Sequence, residues 1–225
     1  MKASPGARSW IAAGVRHELL TRVLPALRHD MAAPMSVIRM GLLMLKRQAS
    51  APAVDEAAWE ERIALVEDQV VALVSGVRSL RDWELAVSDD GITRSALVAQ
   101  CTGLMRTAFE FSGIGLQVGD GLEPEEAEPR FPAGAAMRYM FLGALSYLHD
   151  SAPQISAIRV EAEGADALRF TAAPGASDAA DPMKQAHRAP RKLAIDVIAL
   201  QSLADDLGYA VAVDRHTVRL TLAPA

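Results

Sequence analysis

The first ninety residues contain two long runs in which apolar residues recur every three or four positions. The first run extends from about His17 to Gln48, with apolar positions at Leu20, Leu24, Leu27, Met31, Met35, Ile38, Leu42 and Leu45. The second follows a turn-like segment at 49–53, with apolar positions at Ile63, Val66, Val70, Leu73, Val77 and Leu80. This spacing predicts two long amphipathic helices. We expect a bend at Pro34, because proline removes a backbone N–H donor from the first helix.

These two helices are too long for each to cover the apolar face of the other. A helix of roughly 30 residues spans on the order of 45 Å. Two such hairpins can cover their apolar faces by packing together as a four-helix bundle, which predicts a homodimer. The alternative is that both helices pack on the remainder of their own chain.

The pattern changes after Asp89, Asp90 and Gly91, which places a domain boundary near residue 90. Downstream, the expected helices are 97–111 (capped by Thr93 or Ser95), 133–149 and 193–207, and the expected strands are 116–118, 158–163, 167–171, 210–213 and 218–222. This order predicts an α/β sandwich with an antiparallel sheet. An acidic loop is expected at 123–128 and a mobile loop at 176–191. We therefore expect an α+β chain with a tail at 1–14, a helical hairpin at 15–89 and an α/β domain at 90–225.

Composition narrows the classes of function. Lys and Arg total 23 against 28 Asp and Glu, a net charge of −5, so no basic field favours nucleic-acid binding. The single cysteine, Cys101, excludes an internal disulfide and fits a reducing compartment. The most apolar stretches, 35–45 and 137–148, are short and contain arginines. We therefore expect a cytoplasmic protein that neither spans nor binds a membrane.

One histidine on the first predicted helix is a candidate for chemistry. His29 is followed by Asp30, and at 100° per residue it lies about 200° from Leu27 and Met31. We therefore expect its imidazole to face solvent. An exposed imidazole can accept and release a phosphoryl group on its neutral nitrogen while Asp30 orients the ring or takes its proton. The alternative is an ordinary solvated histidine.

The segment from His29 to Pro34, followed by apolar heptads, resembles the H-box of sensor histidine kinases. In that family a helical hairpin forms a dimeric four-helix bundle that carries the phosphoacceptor histidine, and an ATPase domain with a sandwich-like fold follows. The resemblance implies the same order here over about residues 15–225. The fold that it implies is a phosphoacceptor hairpin followed by a degenerate ATPase-like α/β sandwich.

The second part departs from the kinase pattern at positions that bind nucleotide in the family. Gly143 and Tyr147 stand where the family has the two asparagines of the N-box, which organise magnesium and phosphates. Thr171 replaces the aspartate that reads adenine, and Ala173 replaces a glycine. The segment 194–197 replaces the paired glycines near the phosphates. The resemblance therefore implies a chain that does not bind or hydrolyse ATP.

A chain with the phosphoacceptor hairpin and without the nucleotide site resembles the kinase-derived histidine phosphotransferases of bacterial phosphorelays. The resemblance implies that His29 takes a phosphoryl group from one receiver-domain aspartate and passes it to another, with Asp30 as the orienting or acid/base group. The residues expected to contact these partners are Arg28, Met31, Ala33, Pro34 and Arg39. The partners would be response-regulator receiver domains, among them that of a hybrid histidine kinase, and a second copy of the chain. No cofactor is expected on this chain, because the receiver supplies the magnesium.

The alternative from another class is a non-catalytic, pseudokinase-like dimer that binds a histidine kinase or a response regulator and regulates it without carrying phosphate. The remaining histidines do not distinguish these two interpretations. His17 also precedes an acidic residue, but Arg22 stands five residues after it, where the H-box has its proline. The heptad position of His17 predicts that its ring points toward the apolar seam. His149, His187 and His216 lack the spacing of a metal site, so we expect them at the surface.

Overall fold

The computed structural model describes residues 5–50, 55–85, 91–152, 155–175 and 193–224. The chain divides into two compact units, one formed by residues 24–84 and the other by residues 1–23 together with 85–225. The expected mobile loop at 176–191, the acidic boundary residues Asp89 and Asp90, and most of the turn at 49–53 lie outside the described residues. The N-terminal segment and the C-terminal two thirds therefore belong to one unit.

Two long helices confirm the expected hairpin. Helix α1 spans Pro5–Ala49 and α2 spans Glu56–Ser79, followed by a 3-10 turn at Leu80–Trp83. Asp55 caps α2, because its side chain accepts a hydrogen bond from the backbone N–H of Ala58. The two helices approach closely at Gly41, where an added Cβ would lie only 2.6 Å from Cγ2 of Val66. A side chain at residue 41 would therefore force Val66 to shift.

Helix α1 differs from expectation at its start. It begins at Pro5, so the segment expected as a tail, 1–14, is helical from residue 5 onward. The reason lies in the packing, because Ala12, Val15, Leu19 and Val23 are buried and follow the same three- and four-residue spacing. Pro25 and Pro34 both lie inside α1 without ending it. The bend expected at Pro34 stays a prediction.

The second unit combines helices with a sheet. Short strands β1 (Ile92–Thr93) and β3 (Arg130–Phe131), which the sequence patterns did not predict, pair only with each other within the described residues. The helices of this unit are α3 (Arg94–Phe111), α4 (Gly134–Ser151) and α5 (Val197–Leu207). Its five-stranded sheet has the order β2-β4-β5-β7-β6, with β2 at Gly115–Val118, β4 at Ile155–Glu163, β5 at Ala167–Pro174, β6 at Tyr209–Asp214 and β7 at Thr217–Pro224. With the helical hairpin, this makes an α+β fold.

The sheet is mixed, which corrects the expectation of an antiparallel sheet. Strand β2 pairs parallel with β4, whereas the other neighbours pair antiparallel. Helix α4 lies between β2 and β4 in the chain, and a helical crossover is the usual connection between parallel neighbours. Alternation along a strand carries no information about its direction, so the sequence pattern could not reveal this pairing.

Polar side chains fix the starts of two helices in the second unit. Thr93, one of the two expected caps, accepts a hydrogen bond from the backbone N–H of Ala96. Ser95, the other, donates instead from its hydroxyl and its backbone N–H to the Glu128 carboxylate, which comes from the expected acidic loop. Helix α5 starts at Val197, not near residue 193 as expected, because Asp196 caps it there.

Helix α4 forms the centre of the second unit. Every residue from Gly134 to Leu148 is buried, since α4 packs against α3, α5 and strands β4, β5 and β7. Phe141 of α4 meets Phe170 of β5 edge to face, with ring centroids 4.8 Å apart. Among the described residues, the helices are too short or too polar for any of them to cross a bilayer.

Candidate functional site

His29 lies in the interior of α1 with its side chain 84% exposed, as the helical phase predicts. Its Nδ1 atom is 3.6 Å from Oδ1 of Asp30, whose side chain is 68% exposed. At this distance the two side chains are close to each other without forming a hydrogen bond. The imidazole of His29 is accessible to a partner from solvent.

The other residues expected to contact a partner differ in accessibility. Arg28, Ala33 and Arg39 are exposed, and Met31 is half-buried. Pro34 is buried, which corrects its assignment as a contact residue. The reason is its place on the helix: Pro34 precedes Gly41 by seven residues, which puts both on the face of α1 that packs against α2.

Open grooves lie along the C-terminal half of α1. One, of about 480 Å³, is lined by Met35, Ile38, Arg39, Leu42, Leu43, Lys46 and Leu73. A second, of about 500 Å³, is lined by Met40, Leu43, Met44, Lys46, Arg47 and Ser50. Both grooves combine flexible methionine and leucine side chains with cationic side chains. Such a surface suits an apolar segment that also carries acidic groups.

His17 does not point toward a buried seam, which corrects that expectation. Its side chain is exposed, because the buried face of this part of α1 runs through Val15, Leu19 and Val23. His17 lies about 200° from Val15 and from Leu19 around the helix axis. The expectation for His17 came from the heptad positions of Leu24 and Met31. Those positions do not define the buried face of the first turns of α1.

A buried polar network in the second unit was not found by sequence reasoning. Nη2 of Arg22 donates to Oδ2 of Asp150 at 2.7 Å and to the carbonyl oxygen of Leu193 at 3.1 Å, and its Nε donates to Glu18 at 2.9 Å. Asp150 also accepts from the backbone N–H of Ile195 at 2.9 Å. The Arg22 and Asp150 side chains are only 4% and 5% exposed. The network therefore joins α1, the end of α4 and the segment that leads into α5.

The histidine beside this network is not a surface residue, which corrects the expectation for His149. Its side chain is 11% exposed, its Nδ1 lies 2.8 Å from Oδ1 of Asp150, and its ring packs edge to face against Phe109. Of the other two, His216 is exposed and His187 lies outside the described residues. The adjacency of His149 and Asp150 was the one signal in the sequence, but the network depends on Arg22, which is 128 residues away.

The electrostatics of Asp150 follow from its partners. Burial by itself would raise the pKa of this carboxyl, but hydrogen bonds from His149 and Arg22, the charge of Arg22 and the Ile195 N–H together hold that pKa below its usual value. Asp150 is therefore ionised in the folded protein at neutral pH. The network holds α1 to the end of α4 through a charged pair excluded from solvent.

The residues that the resemblance assigned to a nucleotide site have other roles in this structure. Gly143 and Tyr147 are buried within α4, and a Cβ added to Gly143 would lie 3.1 Å from side-chain atoms of Leu200 and of Leu203. Asp196 caps α5. Among the described residues, no group of three or more His, Cys, Asp or Glu side chains lies together as a metal site requires.

The chain matches no protein-family model and no curated protein sequence. Solved structures are similar to it at low identity. The cytoplasmic segment of the histidine kinase QseC matches 70% of this chain and 95% of its own, with 12% identity and a TM-score of 0.40. A histidine kinase from Burkholderia phymatum matches 88% of this chain and 98% of its own, with 14% identity and a TM-score of 0.37. The Acinetobacter baumannii histidine kinase AdeS matches 86% of this chain and 98% of its own, with 12% identity and a TM-score of 0.33.

Proposed function

We propose that this chain is a histidine phosphotransferase of a bacterial two-component phosphorelay. His29 accepts a phosphoryl group from the aspartate of one receiver domain and transfers it to the aspartate of another, without ATP. The observation that carries this proposal is the position of His29: its imidazole is 84% exposed in the interior of a long helix, beside a carboxylate 3.6 Å from Nδ1. An interior helical position holds the ring on a rigid support and leaves Nε2 open to a large partner.

The transfer requires little from the chain beyond a positioned nucleophile. The bond from Nε2 of His29 to phosphorus forms as the phosphorus–oxygen bond of the receiver's acyl phosphate breaks, and the receiver carboxylate leaves with that bonding pair. The ring becomes positively charged in this step, and the Asp30 carboxylate stabilises that charge. The second transfer is the reverse reaction with a different receiver carboxylate. Magnesium belongs to the receiver, and this chain needs no cofactor of its own.

The surface around His29 supports docking of a receiver. Arg28, Ala33 and Arg39 are exposed, and the apolar groove of about 480 Å³ begins at Met35, six residues along the same helix. Arg39 and Lys46 line that groove and add positive charge to an apolar surface. The phosphoryl group on the receiver aspartate is negatively charged, and these cations complement that charge.

The packing of α4 supports a function without nucleotide. At Gly143 the side chains of Leu200 and Leu203 already lie within 3.1 Å of the space that a Cβ would take. A longer polar side chain there would have to displace two leucines of α5. The position that the resemblance assigns to phosphate and magnesium binding is therefore filled by apolar packing.

The exposed apolar residues of the hairpin support homodimerisation. No residue of α2 is buried in the single chain. Val70, Val71 and Val77 are 45%, 68% and 52% exposed, and Met35 and Leu42 of α1 are 51% and 53% exposed. Apolar exposure on this scale marks an interface, and a second hairpin can cover it in a four-helix bundle.

The test is phosphoryl exchange between the purified protein and a panel of phosphorylated receiver domains, without ATP. We expect acid-labile phosphate on the wild type and none on His29→Ala. His17→Ala is the matched control, since His17 is another exposed histidine on the same helix, and we expect it to accept phosphate as the wild type does. Asp30→Asn should slow transfer while leaving receiver binding unchanged.

The scaffold is the second candidate. The apolar grooves along the C-terminal half of α1 favour it, because they could bind a receiver or a kinase without any chemistry at the imidazole of His29. If a receiver binds to wild type and His29→Ala with equal affinity and no phosphate reaches either protein, the phosphotransferase proposal is overturned and the scaffold replaces it. Equal labelling of wild type and His29→Ala would place the acceptor on another residue.

A further inference from the structure

Helix α1 belongs to both compact units of the chain. Its residues up to Val23 group with the second unit, whereas its residues from Leu24 onward group with α2. The boundary between the units therefore lies inside a continuous helix. Pro25 is the second residue after that boundary. Its position is mechanically important, because sharp changes in the direction of a helix occur mostly at prolines.

The backbone of α1 is weakened in the turn that ends at Pro25. Proline has no N–H, so the carbonyl oxygen of Thr21, four residues earlier, receives no helical hydrogen bond from residue 25. The hydroxyl of Thr21 donates to the carbonyl oxygen of His17 at 2.9 Å, and a hydroxyl bond of this kind often bends a helix. Thr21 and Pro25 are both exposed, so solvent has access to this turn. Two successive turns of α1 therefore resist bending less than a regular helix does.

The part of α1 before this turn is fixed to the second unit. Leu19 and Val23 are buried. Arg22 pairs with Asp150 at 2.7 Å, and their side chains are only 4% and 5% exposed. Because this ion pair lies three residues before Pro25, the helix is held by buried contacts as far as the weakened turn.

The part of α1 after this turn contacts α2 instead. A Cβ added to Gly76 of α2 would lie 3.4 Å from Cγ of Met31, so α1 is attached to α2 from Met31 onward. His29 lies four residues after Pro25 and two residues before Met31. The candidate phosphoacceptor is therefore on the short stretch of α1 between these two attachments.

We propose that the turn Thr21–Pro25 is a hinge at which α1 changes direction. The part of α1 before the hinge stays on the second unit, and the part after it moves with α2. Bending here reorients the imidazole of His29 without breaking the ion pair of Arg22 or the contact of Met31. Hinges usually lie in loops or at the ends of elements, and the missing N–H of Pro25 supplies the same freedom inside a helix. The proposal goes beyond the phosphotransferase function, since it holds whether or not His29 carries phosphate.

The first experiment measures the distance between two spin labels on α1 by pulsed electron paramagnetic resonance. The labels are attached to His17→Cys, before the hinge, and Met40→Cys, after it; both positions are exposed, and the native Cys101 is buried. The labelled protein is diluted with unlabelled chain, so that only distances within one chain are measured. In a straight helix the two positions lie on the order of 35 Å apart. We expect the wild type to give a broad distribution that extends to shorter distances.

The decisive variant is Pro25→Ala. Alanine restores the N–H and is the strongest helix former, so we expect the distribution to narrow about twofold around the straight-helix distance. Pro5→Ala is the matched control. Pro5 is the first residue of α1, where a proline breaks no helical hydrogen bond, so this replacement should leave the distribution unchanged.

The second experiment is amide hydrogen exchange on the unlabelled protein. The amides of residues 26–28 follow the proline, and we expect them to exchange about tenfold more slowly in Pro25→Ala than in the wild type, because the restored hydrogen bond closes the turn. Pro5→Ala should leave their exchange unchanged.

Three results would overturn the hinge. The wild type could give a narrow distribution at the straight-helix distance. Its distribution could be broad but the same in Pro25→Ala, in which case α1 bends at another residue. Exchange could slow in Pro25→Ala without any change in the distance distribution, which would show local opening of the turn without bending. Neither experiment uses a phosphorylated receiver, so phosphoryl exchange at His29 decides the phosphotransferase proposal separately.

Discussion

Removing the Asp150 carboxylate should destabilise the protein strongly, because it leaves a charge buried without its main partner. In Asp150→Ala, the Arg22 guanidinium, 4% exposed, keeps Glu18 and the Leu193 carbonyl but loses its 2.7 Å ion pair. The Ile195 N–H loses its acceptor as well. Breaking a buried pair by removing one partner costs about 3–5 kcal/mol. Because Glu18 remains, we expect the lower end, a loss of about 3 kcal/mol in the free energy of unfolding.

The assay is urea denaturation at pH 7, followed by circular dichroism and by tryptophan fluorescence. Asp205→Ala is the control, since Asp205 pairs with Arg8 at 3.5 Å and both side chains are more than 40% exposed. An exposed pair contributes at most about 1 kcal/mol, so this variant should unfold close to the wild type. If Asp150→Ala loses less than about 1 kcal/mol, water reaches the pair and the description of a solvent-excluded network is wrong.

Three further outcomes follow from the second unit. The pKa of Asp150 is lowered in the folded protein, so the contribution of its carboxylate to the free energy of unfolding is present above the unfolded pKa of about 4 and is lost as pH falls through the folded value. The difference in the free energy of unfolding between wild type and Asp150→Asn should therefore be constant above about pH 5 and shrink below about pH 4, as measured by denaturation at a series of pH values. Ala133 has a φ of 56° at the start of α4, a backbone conformation in which a non-glycine residue is strained. Ala133→Gly should therefore raise the free energy of unfolding by about 0.5–1 kcal/mol. A lower free energy of unfolding in this variant would contradict this account. Burial raises the pKa of the Cys101 thiol to about 12, so a thiol reagent at pH 8 should label Cys101 only as fast as the protein unfolds; rapid labelling of the folded protein would contradict its burial.

Much of the fold follows from local pattern. The spacing of Ile63, Val66 and Val70 predicted α2, and the helical phase of His29 predicted an exposed imidazole, because both depend only on 3.6 residues per turn. Proline did not interrupt this pattern at Pro25, which lies inside the continuous helix α1. Packing around Val23 and Leu19, both buried, outweighs the loss of one backbone hydrogen bond.

The sequence by itself determined the two long helices, the α+β class, the exposed imidazole of His29 and the carboxylate beside it. These are properties of neighbouring residues, which a short window of sequence contains. The tertiary structure alone decided the parallel pairing of β2 with β4, the burial of His149, and the ion pair between Arg22 and Asp150. Those properties join residues far apart in the chain, and the free energy that selects them arises from excluding water at contacts that no local spacing records. The turn at Thr21–Pro25 belongs to the same class, because only the packing on either side of it shows that the two parts of α1 belong to different units.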